Sequence, residues 1–373
     1  MRRDAFLDYR RRMLVSKYCI SLRIACGADV FGIIFHFLCS QARLPSQCIR
    51  YSLPYMLEQT NRFTKNVPIS VTHIPYSFFK PHFRFIMSDK KIHIEPGTVQ
   101  ETLLIPLYCR MKCVELYPDL FHDTETVKLF DRIDYVQEME PLEYACLTGG
   151  IRAYDFVVEI KEYLKDHPRA CVVNLGCGLD TTFYHVDNGT AKGYNVDFPD
   201  VINIRNELLP PKERETNIAS DLNDPAWFDK IDFKKEDGAV FIAGGVFCYI
   251  SYDNVKALLC NLAERFPGGK VVFDALSPIG SYMAKRILFS SGKRQSVVML
   301  FSSKNPEKEL STWSPKFAKV ETKQYWYGYM DVDKRWSYLT RFIFWAKELL
   351  GFCRIVIVSF VLSVSSYTGV CEG

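Results

Sequence analysis

The stretch VVNLGCGLDTTFYHV, residues 172–186, decides how this chain is read. Val172, Val173 and Leu175 have the run of a buried strand. The run stops at Gly176-Cys177-Gly178 and leads into Asp180. Glycine lets the backbone enter conformations closed to other residues and lets another group come close. The stretch therefore reads as a strand, a tight turn beside a ligand, and the entry to a helix.

Outward from this point the pattern alternates. A strand over 193–196 ends on Asp197. PDVINIRNELL follows as a helix with Pro199 at its first position, where proline is well placed. TNIAS (216–220) is a short strand before Asp221, and Asp224 caps the short helix AWFDKI. GAVFIAG (238–244) is a fourth strand. SYDNVKALLCNLAERF then places Val255, Leu258, Leu259, Leu262 and Phe266 on one helical face. KVVFDAL is a fifth strand, and AKVETKQYWYGYM and CRIVIVSFVLSV read as the last two. Strands alternating with helices argue for a parallel sheet covered on both faces.

The segment before the first strand is helical. TVQETLLIPLYCRMKCVELY (98–117) reads as a helix that Pro106 kinks or breaks. Val127, Phe130, Ile133 and Val136 recur at helical spacing. Gly149-Gly150 precede a further helix, IRAYDFVVEIKEYL, that ends at Asp166-His167-Pro168.

Charge is unevenly spread. Residues 1–86 hold 13 Lys and Arg against 4 Asp and Glu, which leaves 34 against 39 for the remainder. The bulk of the chain is mildly acidic, which argues against a nucleic-acid groove. The apolar stretch from Tyr18 to Ser40 is interrupted by Arg23, Asp29 and His36, unlike a clean membrane span. Met87 is expected to be the true start, with 1–86 an over-extended reading frame; a native basic arm is the alternative. The 13 cysteines include no CxxC and no Cys/His set with zinc spacing. Cys171, Cys248, Cys260 and Cys353 sit in apolar runs, where free thiols behave as small hydrophobes. Reduced thiols and a cytoplasmic protein are expected, without a metal.

In an open α/β sheet, ligands bind beyond the carboxyl ends of the strands. Asp197 lies 19 residues past Gly178, and an acidic residue about 20 residues on is placed to accept from a ribose diol. Asp221-Leu222 pairs an acceptor with an apolar side chain, which suits an adenine. Gly244-Gly245 again permits close approach. A dinucleotide turn would carry a third glycine where this chain has Thr181, and Asp180 would repel phosphates. A nucleoside without phosphates, S-adenosylmethionine, fits better, and Arg152 is the candidate partner for its carboxylate.

Taken together, IRAYD, VVNLGCGLDTTFYHVDNG, YNVDFPDVINIR, ASDLND, AGGVFCYI and FPGGKVVFDA resemble the leucine carboxyl methyltransferase family. The bacterial small-molecule O-methyltransferase branch, which includes enzymes of polyketide biosynthesis, is the nearer one. The resemblance spans about residues 95–360. It implies an α/β fold of the class I S-adenosylmethionine-dependent methyltransferases: a Rossmann-like seven-stranded sheet, last strand antiparallel, with a helical N-terminal cap. The cap is expected over 87–168 and the core over 169–362, with an insertion around 277–320 and a tail from 363. By the same resemblance Arg152 holds the cofactor carboxylate, and Gly176, Cys177 and Gly178 line the methionine portion. Asp197 and Phe198 meet the ribose side, Asp221 and Leu222 the adenine, and Gly244 and Gly245 border the pocket. The family often has a glutamate at the position of Gly244 and an arginine at that of His185.

The expected activity is methylation of a carboxylate or hydroxyl of a small molecule. An NAD-linked oxidoreductase and an inactive nucleoside-binding relative are the alternatives. Asp180 reads equally as a turn cap or a cofactor contact. Tyr249 and Tyr252 are the weak catalytic candidates. Gln100, Glu101, Tyr108 and Tyr249 are candidates for the acceptor, as is the aromatic run Tyr325-Trp326-Tyr327-Tyr329. No histidine follows His185, so no clear general base is present, and this favours an acceptor already ionised at neutral pH.

Overall fold

The computed structural model describes residues 91–93, 101–135, 141–289 and 298–362, all within the unit Asp89–Gly373. The basic segment 1–86, Gln100, Val136 and the tail lie outside the described residues.

Every residue of β1 (Cys171–Leu175) is buried. It pairs in parallel with β2 (Lys192–Asp197) on one side and β4 (Ala239–Ala243) on the other. Four of its five residues are apolar, as suits a strand covered on both faces. β3 (Glu215–Ala219) extends the sheet beyond β2, and β5 (Lys270–Leu276) beyond β4. β6 (Phe317–Gln324) and β7 (Cys353–Phe360) complete it. β7 runs antiparallel to both β5 and β6, with a register shift between Phe317 and Lys319. The strand order is β3-β2-β1-β4-β5-β7-β6. This is the seven-stranded arrangement of the class I methyltransferase fold, with the last strand antiparallel.

The core is dense in aromatics. Phe241 of β4 meets Phe266 edge to face at 4.9 Å. Trp227, Phe247, Phe273 and Val356 are fully buried in the same cluster. A second cluster lies in the cap. It joins Leu104 and Leu107 of α1 (Glu101–Leu116) and Leu129 of α2 (Thr124–Asp131) to Leu179 in the turn after β1. Ile133, expected on a helix, instead forms a short parallel bridge with Ile92.

Two expectations for the cap change. Pro106 lies inside α1, which runs through it as one helix. Gly149-Gly150 does not precede a helix either: α3 spans Glu143–Asp166 and carries both glycines in its interior. A Cβ on Gly150 would lie 2.6 Å from Cys113 Sγ of α1, and one on Gly149 would lie 3.1 Å from Cys109 Cβ. The glycines are there so that α1 can cross α3 closely.

Candidate cofactor and acceptor site

The turn after β1 lies at the switch in strand order, between β1 and β4, where open α/β sheets bind ligands. Gly176 and Gly178 both have positive φ, +62° and +48°. Protein groups crowd both. A Cβ on Gly176 would meet Val246 Cγ2 at 2.6 Å, and one on Gly178 would meet Leu103 Cδ2 at 3.1 Å. The turn's glycines thus serve packing as well as backbone shape. Val246 follows Gly244-Gly245, so the loops after β1 and β4 touch.

Asp197 ends β2 and anchors the turn. Its Oδ2 accepts the Gly178 N–H at 2.8 Å and its Oδ1 the Phe198 N–H at 2.8 Å. Burial raises the carboxyl above its ordinary pKa, against the pull of those two N–H groups. Phe198 is 52 % exposed beside it. Cys177 points into the core, where burial pushes its thiol up to about 12. It offers the pocket backbone alone.

Asp180 is occupied. Its Oδ1 accepts from Asn174 Nδ2 at 2.9 Å and from the Thr182 N–H at 2.7 Å, as a turn cap does ahead of the short helix α4 (Thr182–Val186). Its Oδ2 meets Arg110 Nη1 of α1 at 2.7 Å. On the other side of the turn, Arg205 of α5 (Pro199–Leu208) donates from Nη1 to the carbonyls of Gly178 (3.0 Å) and Asp180 (2.7 Å). Arg205 is buried and also meets Asn217 and Glu215.

A second group forms at the ends of β4 and β5. Arg152 of α3 places Nη1 3.2 Å from Asp274 Oδ2 of β5, while Asp274 Oδ1 accepts the Gly245 N–H at 2.5 Å. Burial alone would lower the Arg152 pKa, but Tyr325 and Asp274 hold it above its usual range. Arg152 Nε and Nη2 make no hydrogen bond to a described residue. The glycines make room for α3: a Cβ on Gly245 would lie 2.6 Å from Arg152 Nη1, and one on Gly244 would lie 2.8 Å from Phe156 Cε2.

The remaining candidates divide. Asp221 is exposed after β3, its Oδ1 taken by the N–H and side-chain amide of Asn223. Leu222 is buried in the core cluster. Tyr249 is 44 % exposed in the short turn of helix Phe247–Tyr249 after β4. Burial, then Cys248, pushes its hydroxyl up to about 12. Tyr252 begins α6 (Tyr252–Arg265) and donates to Glu309 at 2.6 Å while accepting from Trp313 at 3.2 Å. Tyr108 is buried against Phe130, and Glu101 opens α1. His185 places Nε2 3.1 Å from Asp123 Oδ1. The aromatic run is packed. Tyr325 donates to Thr148 O, Trp326 stacks on Phe344, Tyr327 donates to Arg341 O, and Tyr329 donates to Glu159.

The structure therefore brings Gly176, Gly178, Asp180 and Asp197 into one group, and Arg152, Gly244 and Gly245 into its neighbour. Sequence reasoning did not single out Asp274, Arg110 or Arg205. Asp274 sits inside the apolar run KVVFDAL, and a polar residue near the carboxyl end of such a strand was its available signal.

Residues 155–263 match the family model described as leucine carboxyl methyltransferase. The tetracenomycin polyketide synthesis O-methyltransferase TcmP of Streptomyces glaucescens is 28% identical over 186 residues, 48% of this chain and 67% of that protein. The S-adenosyl-L-methionine-dependent methyltransferase dpfgK of Gibberella zeae is 23% identical over 235 residues, 58% of this chain and 78% of the relative. The solved magnesium protoporphyrin IX methyltransferase of Synechocystis is 13% identical, with a TM-score of 0.37, over 65% of this chain and 97% of that one. Residues 155–263, which carry the glycine turn, Asp197 and Gly244-Gly245, are thus the part of this chain that is similar to the leucine carboxyl methyltransferase family.

Proposed function

We propose that this protein is an S-adenosylmethionine-dependent O-methyltransferase acting on a small molecule. The observation that carries the reading is the Gly178–Asp197 bond of 2.8 Å. It fixes an acidic acceptor beside the glycine turn at the sheet's switch point, where a ribose diol is bound in such folds. The residues present fit the cofactor. Arg152 has open donors for a carboxylate, and Asp197 has lone pairs left for the ribose. The exposed ring of Phe198 and the exposed Asp221 border the adenine side.

When bound, this cofactor supplies a methyl group already activated by a sulfonium. The chain's own work is then to orient the two reactants and exclude water, which can be worth roughly 7–11 kcal/mol. The glycine turns after β1 and β4 pack against Val246, Leu103, Phe156 and Arg152 and so shape the cleft that would take the cofactor, and Tyr249 is the candidate on the acceptor side. With its hydroxyl pushed up to about 12, Tyr249 keeps its proton at neutral pH. A protonated phenol there can donate a hydrogen bond and cannot act as a base. A carboxylate or an acidic hydroxyl is the acceptor this site serves best, since either ionises without help.

The reading takes 87–168 as the cap and 169–362 as the core, with an insertion around 277–320. No helix among the described residues is long and apolar enough to cross a membrane. The described cysteines are free, which supports a cytoplasmic setting.

Calorimetric titration of S-adenosylhomocysteine into the full chain tests the reading. Micromolar binding is expected, weakened at least about tenfold by Asp197→Asn, as for loss of a hydrogen-bonded charge. A folded chain that binds neither cofactor nor product overturns it.

A further inference from the structure

Two buried guanidinium groups grip one loop from opposite sides. Arg205 belongs to the core helix α5 and takes the carbonyls of Gly178 and Asp180. Arg110 belongs to the cap helix α1. Its Nη2 donates to Leu179 O at 3.0 Å, and its Nη1 donates to Asp180 Oδ2 at 2.7 Å, with Thr181 Oγ1 at 3.4 Å. Two turns earlier on α1, Leu103 lies against Gly178. Leu179 itself is buried in the cap cluster with Leu104, Leu107 and Leu129. Asp123, the residue capping α2, adds a further tie by accepting from Thr181 Oγ1 at 2.9 Å. The cap therefore touches each of residues 178–181, the segment whose first N–H is fixed on Asp197.

The chemistry of the clamp is specific. A planar fork holds a carbonyl and a carboxylate with two donors in one fixed geometry, which the rotating ammonium of a lysine does not impose. Asp180 is balanced by Arg110 and so is not left over for a ligand's ammonium group.

We propose that Arg110 is a positioning residue for the cofactor. It holds the glycine turn in its ligand-receiving shape from the cap side, so docking of α1 and binding of the cofactor form one coupled equilibrium. This rests on the cofactor reading above. Linkage makes the coupling reciprocal: whatever loosens α1 weakens the cofactor, and the cofactor tightens α1.

The full chain and S-adenosylhomocysteine test it. Arg110→Lys keeps the charge and loses the fork. It should still unfold cooperatively without ligand, at a lower temperature, and bind about tenfold or more weakly, within the usual span of coupling factors. Arg110→Met combined with Asp180→Asn removes both charges together and should show the same loss. A folded Arg110→Lys protein that binds within about twofold of wild type overturns the inference while leaving the cofactor reading intact. A wild-type chain that binds nothing overturns both.

Hydrogen exchange on the wild-type chain decides the matter if the variants do not fold. Ligand should slow exchange in residues 101–116 of α1 together with 176–181. Protection confined to the turn and to Asp197-Phe198 would mean that Arg110 is structural only.

Discussion

Asp274 faces Arg152 across 3.2 Å at the end of β5 while its other carboxylate oxygen holds the Gly245 N–H at 2.5 Å. One carboxylate thus sets both the direction of the guanidinium and the height of the loop after β4. Nε and Nη2 of the guanidinium make no hydrogen bond to a described residue.

Replacing Arg152 by lysine should keep the ion pair and lose the fork. Bidentate carboxylate recognition depends on that fork. The KM for the methyl donor is expected to rise about tenfold, with a smaller change in kcat. Steady-state kinetics with the donor varied would check this, and an unchanged donor KM would remove Arg152 from the cofactor site.

Removing Arg205 acts differently, because it strips a buried charge from Glu215 and two carbonyls of the turn. Arg205→Met should cost about 3–5 kcal/mol of stability, the usual penalty for one partner of a buried pair. Urea unfolding of the two proteins measures it.

Gly150→Ala should destabilise as well, although alanine is the better helix former by about 1 kcal/mol. The added methyl would press on Cys113 Sγ from 2.6 Å, and overpacking of this kind costs about 1–3 kcal/mol. A lower unfolding midpoint is the expected result; a higher one would mean that α1 and α3 separate freely.

Asp155 of α3 is fully buried, and neither of its oxygens has a hydrogen-bond partner among the described residues. Burial pushes its carboxyl up to about 9, with Glu159 and Glu348 adding to the rise and Lys323 opposing it. The folded chain then keeps a proton that the unfolded chain gives up near about pH 4. Between those values the folded state binds more protons, so stability falls as pH rises, by up to about 1.4 kcal/mol per unit. Asp155→Asn should flatten that slope. Unfolding midpoints at about pH 5 and about pH 8 give the comparison, and equal slopes in both proteins would show that Asp155 is ionised when folded.

Tyr249→Phe should change kcat by less than about threefold and raise the acceptor KM, as expected for a hydroxyl that donates without taking a proton. A loss of activity that recovers at high pH would instead make it a base.

The strands of the core were legible because a buried parallel strand is a short apolar run that ends at a turn. β5 falls where KVVFDAL puts it, β4 lies inside GAVFIAG and is one residue shorter at each end, and β1 starts at Cys171, one residue before VVNL. The cap was less legible. Gly149-Gly150 has the look of a helix breaker, and only the presence of α1 shows that the pair is a crossing point. Asp197 could be found by its distance from Gly178 along the chain. Arg110 and Asp180 are 70 residues apart, with no periodicity to link them, and a guanidinium on a helix reads as solvated until a loop closes over it. Tyr252 shows the reverse case: its position after β4 suggested chemistry, but its hydroxyl is committed to Glu309 and Trp313.

Gly244 and Phe156 are tied to each other. The space a side chain would need at 244 is taken up by the ring of Phe156, itself buried. A glutamate introduced at 244 alone would collide with that ring before its carboxylate reached the cleft. The two positions therefore change together: a side chain at 244 needs a smaller residue at 156.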